Sequence, residues 1–265
     1  GSEMCIRDRD CNGKCGGGIK DNSGLCDRCG GSGRRVERLP SFWVDIGRRA
    51  MAKKLDVVVI GAGPGGYTAA LKAAKLGLKV AVIEEKRVGG TCVNRGCIPA
   101  KALLYASGMF RMMQNCGEFG VSADGIFFDF GKMQSYKKTA VDKYRNGIER
   151  LFETCKVEVI YGKGTLRRDR TVEVELAEGG REFYEGKNVI LAAGAAPVMS
   201  SIPGADLPGV WNSDRLLAAQ SWNFDRLTVM GGGVIAVEFA TLFNNLCSHV
   251  TVSYTHLTLP TICSV

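Results

Sequence analysis

The 265-residue sequence has no hydrophobic run of the ~18 residues that a membrane-spanning helix needs. It has only two histidines, His249 and His256, and their positions do not indicate a catalytic pair. It also lacks a block of consecutive lysines and arginines of the kind that follows a nucleic-acid backbone, although its net charge is +8. We therefore predict neither a membrane protein nor a nucleic-acid-binding protein.

The composition is that of a folded protein, with 45% hydrophobic and 8% aromatic residues. This length is enough for one large domain or two modest ones. The 35 glycines cluster in short runs, which is typical of loops where the backbone approaches a ligand. The excess of basic residues lies within residues 51–150, which favours an anionic cofactor there. Sparse cysteines in the main part of the chain predict a reducing, cytoplasmic location.

Both ends of the sequence resemble translated DNA from library preparation. Residues 1–9 and residues 252–261 back-translate onto the two ends of a transposase-type sequencing adapter. We therefore expect residues 1–9 and 252–265 to be adapter-derived, and the natural chain to continue after about Thr251. The alternative is a native terminus of unusual composition.

Residues 10–50 contain two close pairs of cysteines, Cys11 with Cys15 and Cys26 with Cys29. Four thiolates at such spacing could hold a tetrahedral zinc ion, which makes them a weak metal-site candidate. The favoured alternative is upstream DNA read in frame, because Met51 is a natural start just before a hydrophobic strand. A disordered tail is the third alternative.

A dinucleotide-binding pattern begins after Met51. The sequence predicts a buried strand over Leu55–Ile60, a glycine-rich turn at residues 61–66 and a helix over Tyr67–Leu76. A second strand follows over Lys79–Ile83, and Glu84 closes it. A strand, GxGxxG, helix, strand and acid within about 30 residues form a specific signal.

The three glycines and the acid of this pattern each have a physical role. Gly61 permits the tight turn, Gly63 lets the backbone reach a pyrophosphate, and Gly66 lets helix and strand pack closely. The helix N-terminus attracts the phosphate charge. Glu84 can accept a hydrogen bond from a ribose hydroxyl.

A second copy of the pattern lies near the other end. A strand over Leu227–Met230 leads into Gly231, Gly233 and Ala236, followed by a helix over Val237–Asn244. The third glycine of the motif is thus replaced by alanine. Two units about 170 residues apart indicate two different nucleotides, one in each domain.

Further elements are predicted between the two units. Helices are expected over Pro99–Gln114 and Phe130–Glu153, and strands over residues 156–164 and 171–176. A buried strand is expected over Val189–Ala193. Together these elements predict a doubly wound, three-layer α/β fold.

Cys92 and Cys97 are separated by four residues within a glycine-bordered turn, Gly89 to Lys101, that enters a helix. We call residues 89–101 the two-cysteine segment. The two cysteines can form an intramolecular disulfide in the oxidised protein. Cys97 lies near the predicted helix N-terminus, where the helix dipole favours a thiolate. Lys101 is one helical turn further on and can reach the same site.

The two-cysteine segment, GGTCVNRGCIPAK, resembles the redox-active disulfide of the pyridine nucleotide–disulfide oxidoreductases. Within that family it is most similar to the dihydrolipoamide dehydrogenases, while glutathione and mercuric reductases share much of the segment. The resemblance extends from Met51 to about Thr251. It implies an FAD-binding domain over residues 51–198 and the start of an NAD-binding domain over residues 199–251.

The resemblance also implies roles for individual residues. Cys92 would exchange with the lipoamide sulfur, and Cys97 would be the thiolate beside the flavin. Lys101 would pair with Glu238 near the reactive edge of the flavin. The residues expected to bind FAD are Gly61, Gly63, Gly66, Glu84, Thr91, Lys101, Gly164 and Gly194, and those expected to bind NAD are Gly231, Gly233 and Ala236.

For the intact protein, the resemblance implies oxidation of protein-bound dihydrolipoamide with NAD⁺. The implied partners are a second copy of the chain and the lipoyl-bearing protein of a 2-oxoacid dehydrogenase or glycine cleavage complex. Three residues depart from the family pattern: Ala100, Ala193 and Ala236 stand where Ser, Thr and Gly are usual. Because the family's later domains would lie beyond the adapter-like tail, we expect the 265-residue chain itself to be inactive.

Overall fold

The computed structural model describes residues 52–199, 201–221 and 224–254, all within one compact unit. Several expectations lie outside these residues. They are the adapter-like segment over residues 1–9, most of the adapter-like tail, and the candidate zinc ligands Cys11, Cys15, Cys26 and Cys29. Within the described residues, no group of three or more histidine, cysteine or acidic side chains could hold a metal ion.

The described part of the chain alternates strands and helices. The strands are β1 (Lys53–Ile60), β2 (Val80–Glu84), β3 (Glu158–Leu166), β4 (Thr171–Leu176), β5 (Arg181–Leu191), β6 (Arg226–Met230) and β7 (His249–Ser253). The helices are α1 (Pro64–Lys75), α2 (Gly90–Arg95), α3 (Cys97–Gln114), α4 (Phe130–Thr154), α5 (Ser213–Leu217) and α6 (Val234–Asn245), with a 3₁₀ turn at Cys116–Phe119.

The first five strands form one sheet system. Strands β3, β2, β1 and β5 are parallel neighbours in that order, and Ile60 of β1 lies between Ile83 of β2 and Leu191 of β5. β4 is antiparallel to both β3 and β5 and closes the system into a barrel. This closure is possible because β3 and β5 are long enough to pair with a parallel neighbour at one end and with β4 at the other.

The two central parallel strands are buried on both faces, over Val57–Ile60 of β1 and Val80–Glu84 of β2, which explains their continuous apolar sequence. On one face, Val57, Val59, Val80 and Val82 pack against α1 and α4, where Phe152 is 1% exposed. The other face packs against the antiparallel strands. The buried residues there are Val58, Ile60, Ala81, Ile83, Ile160, Val172, Val174 and Tyr184. The expected three-layer α/β fold is confirmed, with the antiparallel strands forming the third layer.

Most predicted elements are present, with shifted ends. α1 begins at Pro64 rather than Tyr67, because proline is well suited to the first position of a helix. α3 begins at Cys97 rather than Pro99, and so places a cysteine at its N-terminus. The prediction of a buried strand over Val189–Ala193 is wrong in part. The strand ends at Leu191, which is 64% exposed, and only Tyr184 of β5 is buried.

The second dinucleotide unit is a separate two-stranded sheet. β6 and β7 are parallel, and α6 connects them. Phe239, Leu242 and Phe243 of α6 share an apolar cluster with Ala100 and Leu103 of α3. This cluster holds the second unit against the helix that follows the two cysteines. The predicted boundary between domains at residues 198 and 199 stays a prediction.

No helix in the described ranges is long and apolar enough to cross a membrane.

Candidate active site

The glycine-rich turn and Glu84 meet at the carboxyl end of the parallel sheet. The Gly61 amide donates to Ile83 O at 2.7 Å, and the Ala62 amide donates to Glu84 Oε2 at 2.8 Å. The other carboxylate oxygen accepts from the Lys86 amide at 2.9 Å. Glu84 is 8% exposed, but its carboxylate faces the turn rather than the apolar core. The turn and the acid thus lie together, and each carboxylate oxygen keeps a lone pair for a further donor.

Three glycines of the turn serve different purposes. A Cβ on Gly61, whose φ is +99°, would lie 2.2 Å from Ala192 O. A Cβ on Gly66 would lie 1.8 Å from Gly61 O, so both positions are glycine because the protein itself leaves no room. At Gly63 the nearest atom to such a Cβ is Gly90 Cα at 3.9 Å. Gly63 is therefore not required by local packing, and its open side suits close approach of a ligand.

The start of α1 adds to this fit. Gly63 is the N-cap and supplies no side-chain acceptor, and the first turn contains no acidic residue. The first amides of a helix carry a partial positive charge and bind anions. The turn, the helix end and Glu84 thus suit the pyrophosphate and ribose of a dinucleotide such as FAD.

The two-cysteine segment lies directly on the glycine-rich turn. The Gly89 amide donates to Ala62 O at 2.8 Å, and a Cβ on Gly90 would be 2.7 Å from Gly63 Cα. Asn94 Nδ2 donates to Gly90 O and also to Val88 O, both at 2.9 Å. These contacts place the two-cysteine segment beside the glycine-rich turn.

Cys92 lies in α2 and is half-buried, and Cys97 is the exposed first residue of α3. Both are free thiols here, so their disulfide stays a prediction for the oxidised protein. Burial and the hydrogen-bonded Cys97 thiol raise the pKa of Cys92 to about 11, against the opposing charge of Lys101.

Lys101 Nζ donates to Glu238 Oε1, which joins α3 to α6. Lys101 is 59% exposed and Glu238 is 24% exposed. The pair that the family resemblance implies is therefore present in the fold. Its place beside a flavin stays a prediction.

The remaining expected FAD residues lie near the same end of the sheet. Thr91 is exposed in α2, next to Gly90. Gly164 belongs to β3, where a Cβ would meet Ile83 Cγ2 at 3.1 Å, so its glycine is also explained by packing. Gly194, with φ of +72°, is exposed in the loop after β5. Their contacts with FAD stay predictions.

The second unit repeats the hydrogen bonds of the first. The Gly231 amide donates to Ser253 O at 2.8 Å, as Gly61 does to Ile83. Gly231 has φ of +106°, and a Cβ on Gly231 or Gly233 would meet no atom of the described residues within 4 Å. This open turn at the N-terminus of α6 suits a second dinucleotide. Ala236 takes the place that Gly66 has in the first unit.

Comparison with known proteins agrees with this geometry. Residues 55–260 match a family model described as pyridine nucleotide-disulphide oxidoreductase. The chain belongs to this family.

Similar proteins include two dihydrolipoyl dehydrogenases. The mitochondrial enzyme of Dictyostelium discoideum is 38% identical over 82% of this chain and 45% of its own length. The Bacillus subtilis enzyme is 37% identical over 80% of this chain and 46% of its own length. Among solved structures, an HOCl-induced flavoprotein disulfide reductase, RclA from Escherichia coli, matches with a TM-score of 0.63 and 31% identity, covering 74% of this chain and 41% of that one. The oxidoreductase chain thus spans less than half the length of each of these relatives.

The fold also places residues that sequence reasoning missed beside the oxidoreductase's cysteines. Asn94, between the two cysteines, donates to the carbonyls of Val88 and Gly90 and so stabilises the start of the two-cysteine segment. Arg95 Nη1 donates to Asp214 Oδ2 at 2.9 Å. An asparagine between two reactive cysteines is a signal that could have been noticed. The Arg95 contact had no such signal, because its partner lies in α5, a short helix that was not predicted.

Proposed function

We propose that the complete protein is a flavin-dependent dithiol–disulfide oxidoreductase that oxidises protein-bound dihydrolipoamide with NAD⁺. The observation that carries this proposal is the contact between the two-cysteine segment and the glycine-rich turn. This contact supports the proposal, because it would bring two exchangeable sulfurs beside a dinucleotide held by the turn. The identity to dihydrolipoyl dehydrogenases supports the choice of substrate.

The family uses FAD and NAD(H). For FAD, the amides at the start of α1 would hold the pyrophosphate, and Glu84 would hold the ribose. Gly231, Gly233 and Ala236 would form the turn that receives NAD. FAD, when bound, supplies a carrier for two electrons between the cysteine pair and NAD⁺.

The sulfur chemistry is a thiol–disulfide exchange at Cys92. One thiolate of the substrate attacks Cys92 Sγ in the oxidised pair, the Cys92–Cys97 bond breaks, and Cys97 leaves as a thiolate. The second substrate thiolate then attacks the substrate sulfur that is bound to Cys92, and Cys92 leaves. The substrate becomes a cyclic disulfide, the cysteine pair gains two electrons, and the substrate's two thiol protons are released to acceptor groups or solvent.

The surroundings of Cys92 and Cys97 suit their different roles in this exchange. Cys97 is at the N-terminus of α3, where the helix dipole stabilises a thiolate. Burial and the neighbouring thiol keep the pKa of Cys92 high, which favours its protonation after it leaves. Lys101, held by Glu238, supplies positive charge on the same helix.

The partners follow from the same proposal. They are a lipoyl-bearing protein of a 2-oxoacid dehydrogenase or glycine cleavage complex, and a second copy of the chain in a homodimer. The cytoplasmic location stays a prediction, since the dihydrolipoyl dehydrogenases similar to this chain include mitochondrial and bacterial proteins.

A second candidate is another disulfide reductase of the same family, of the glutathione or mercuric type. The similarity to the RclA flavoprotein disulfide reductase favours it. The complete gene product separates the candidates by its substrates. Reduction of NAD⁺ with dihydrolipoamide supports the first proposal. Oxidation of NADPH by oxidised glutathione or Hg²⁺, without activity on dihydrolipoamide, would replace it with the second.

A further inference from the structure

Arg95 is a basic residue between the two cysteines, and its guanidinium pairs with an acid of α5. It ends α2, two residues before Cys97. Its guanidinium makes an ion pair with Asp214, with Nη1 and Oδ2 2.9 Å apart. The Arg95 side chain is 45% exposed, whereas that of Asp214 is 20% exposed. The more buried partner therefore sets the position of the pair.

Asp214 is held by a well-anchored helix. α5 is capped by Asn212, whose side chain accepts from the Arg215 amide at 2.9 Å. At its other end, Lys137 of α4 donates to Leu217 O at 2.7 Å, and the Leu217 side chain is 4% exposed in the apolar cluster. Because α5 is fixed at both ends, Asp214 presents a stationary carboxylate to a flexible arginine.

Charged side chains on two neighbouring helices, α3 and α4, are paired. Lys101 of α3 is the basic side chain that favours the Cys92 thiolate, and it is paired with Glu238 of α6. On α4, which packs against α2, Asp142 and Arg145 pair with each other at 2.6 Å. Arg95 is the charged residue between the two cysteines, and its side chain is 45% exposed.

We propose that Asp214 is a positioning residue that holds the Arg95 guanidinium away from Cys92 and Cys97. This inference rests on the proposed function in one respect, since it takes these thiols to be the reacting pair. While Arg95 is paired, thiolate formation depends on Lys101 and on the N-terminus of α3. When Asp214 is neutralised, the guanidinium is free to lean over the exposed Cys97 and stabilise its thiolate.

The test is pulsed alkylation of the reduced 265-residue chain with iodoacetamide, from about pH 6 to about pH 10, read peptide by peptide by mass spectrometry. In Asp214→Asn, we expect Cys97 to react roughly threefold faster near neutral pH and its pH profile to move to lower pH. Arg95→Met and the double variant Arg95→Met/Asp214→Asn should match the parent, because neither contains a free guanidinium. Asp214→Glu should also match it, since the ion pair is kept.

The matched control is Asp206→Asn, which also removes one negative charge, from an exposed position between β5 and β6. An unchanged Cys97 profile in Asp214→Asn would overturn the proposal. So would equal acceleration at Cys116 and Cys155, which indicates general loosening, or acceleration that persists in the double variant. If Asp214→Asn accelerates Cys97 and the double variant matches the parent, but the oxidised chain forms no Cys92–Cys97 disulfide, then the proposed function fails and the positioning role stands.

Discussion

Gly90 lies against Gly63: a Cβ on Gly90 would be only 2.7 Å from Gly63 Cα. This contact joins the start of the two-cysteine segment to the turn that suits a pyrophosphate. No side chain fits between them, so the distance between the nucleotide site and the cysteine helix is set by backbone contact. The two-cysteine segment is thereby fixed relative to the glycine-rich turn.

We predict that Gly90→Ala destabilises the chain by about 1–3 kcal/mol and weakens FAD binding. Gly90 has φ of +58°, and the new methyl group would push Gly63 away. Urea unfolding and titration with FAD, followed by flavin fluorescence, measure both effects. The control is Gly65→Ala, because a Cβ on Gly65 meets no atom within 4 Å. Equal behaviour of the two variants would show that the contact has no structural importance.

The first dinucleotide unit was predictable because its signals are local. An apolar strand, a glycine pattern, an alanine-rich helix and a closing acid all lie within Leu55 to Glu84, and the hydrogen bond from Ala62 to Glu84 follows from that order. α2 was not predicted because six residues between Gly89 and Gly96 are typical of a turn. The barrel closure depends on β5 starting at Arg181, in a polar stretch that gives little strand signal.

The parts of the site that sequence reasoning missed depend on distant residues. Arg95 and Asp214 are 119 positions apart, and neither has a motif that points to the other. Lys101 and Glu238 are 137 positions apart, and their pairing was expected only from family resemblance. Contacts of this kind follow from how α2 lies against α5 and how α3 packs against α6, which a single sequence does not specify.

We predict that Glu84→Gln lowers the free energy of unfolding by about 1–3 kcal/mol. Glu84 accepts from the Ala62 and Lys86 amides with separate oxygens. Glutamine offers one oxygen and one NH₂ group, so one buried amide would face another donor. Thermal or urea unfolding measures the loss, and Glu85→Gln, at the exposed neighbouring position, is the control. A loss as small as that of the control would mean that the carboxylate does not support the turn.

We predict that the reduced chain loses stability as the pH rises from about 9 towards about 11. The pKa of Cys92 is raised in the folded chain, so the folded state holds its proton more tightly than the unfolded state. This contribution to stability is complete below the ordinary thiol pKa of 9.0 and is lost as the pH approaches the folded value. Urea unfolding at a series of pH values should show a smaller decline in Cys92→Ser than in the parent. Parallel declines in the two proteins would contradict the shift.

We predict that the Lys101–Glu238 pair contributes only about 0.2–1 kcal/mol to stability. Lys101 is 59% exposed, so water screens the attraction and the side chain loses entropy when it is held. A double-mutant cycle with Lys101→Met and Glu238→Gln gives the coupling energy from urea unfolding. A coupling well above ~2 kcal/mol would mean that the pair is a main support of the contact between α3 and α6 rather than a feature of the reaction site.

We predict that the 265-residue chain does not reduce NAD⁺ with dihydrolipoamide, even with added FAD, whereas a chain of the full length of its relatives does. The chain spans 45% and 46% of two dihydrolipoyl dehydrogenases, so more than half of their length has no counterpart in it.

In the described residues, the sheet of the second unit has two strands, and most of their residues are exposed. A nucleotide site at the edge of so small a sheet lacks the neighbouring strands that normally support it. Proton transfer by a positioned base adds ~10²–10⁴-fold to such reactions, and neither described unit places a histidine beside the cysteines. The measurement is NAD⁺ reduction by both chains under the same conditions, with Cys92→Ser of the longer chain as the inactive control. A tenfold difference in turnover corresponds to about 1.4 kcal/mol of activation free energy. If the 265-residue chain turned over within tenfold of the longer chain, the two dinucleotide units would be sufficient for the reaction.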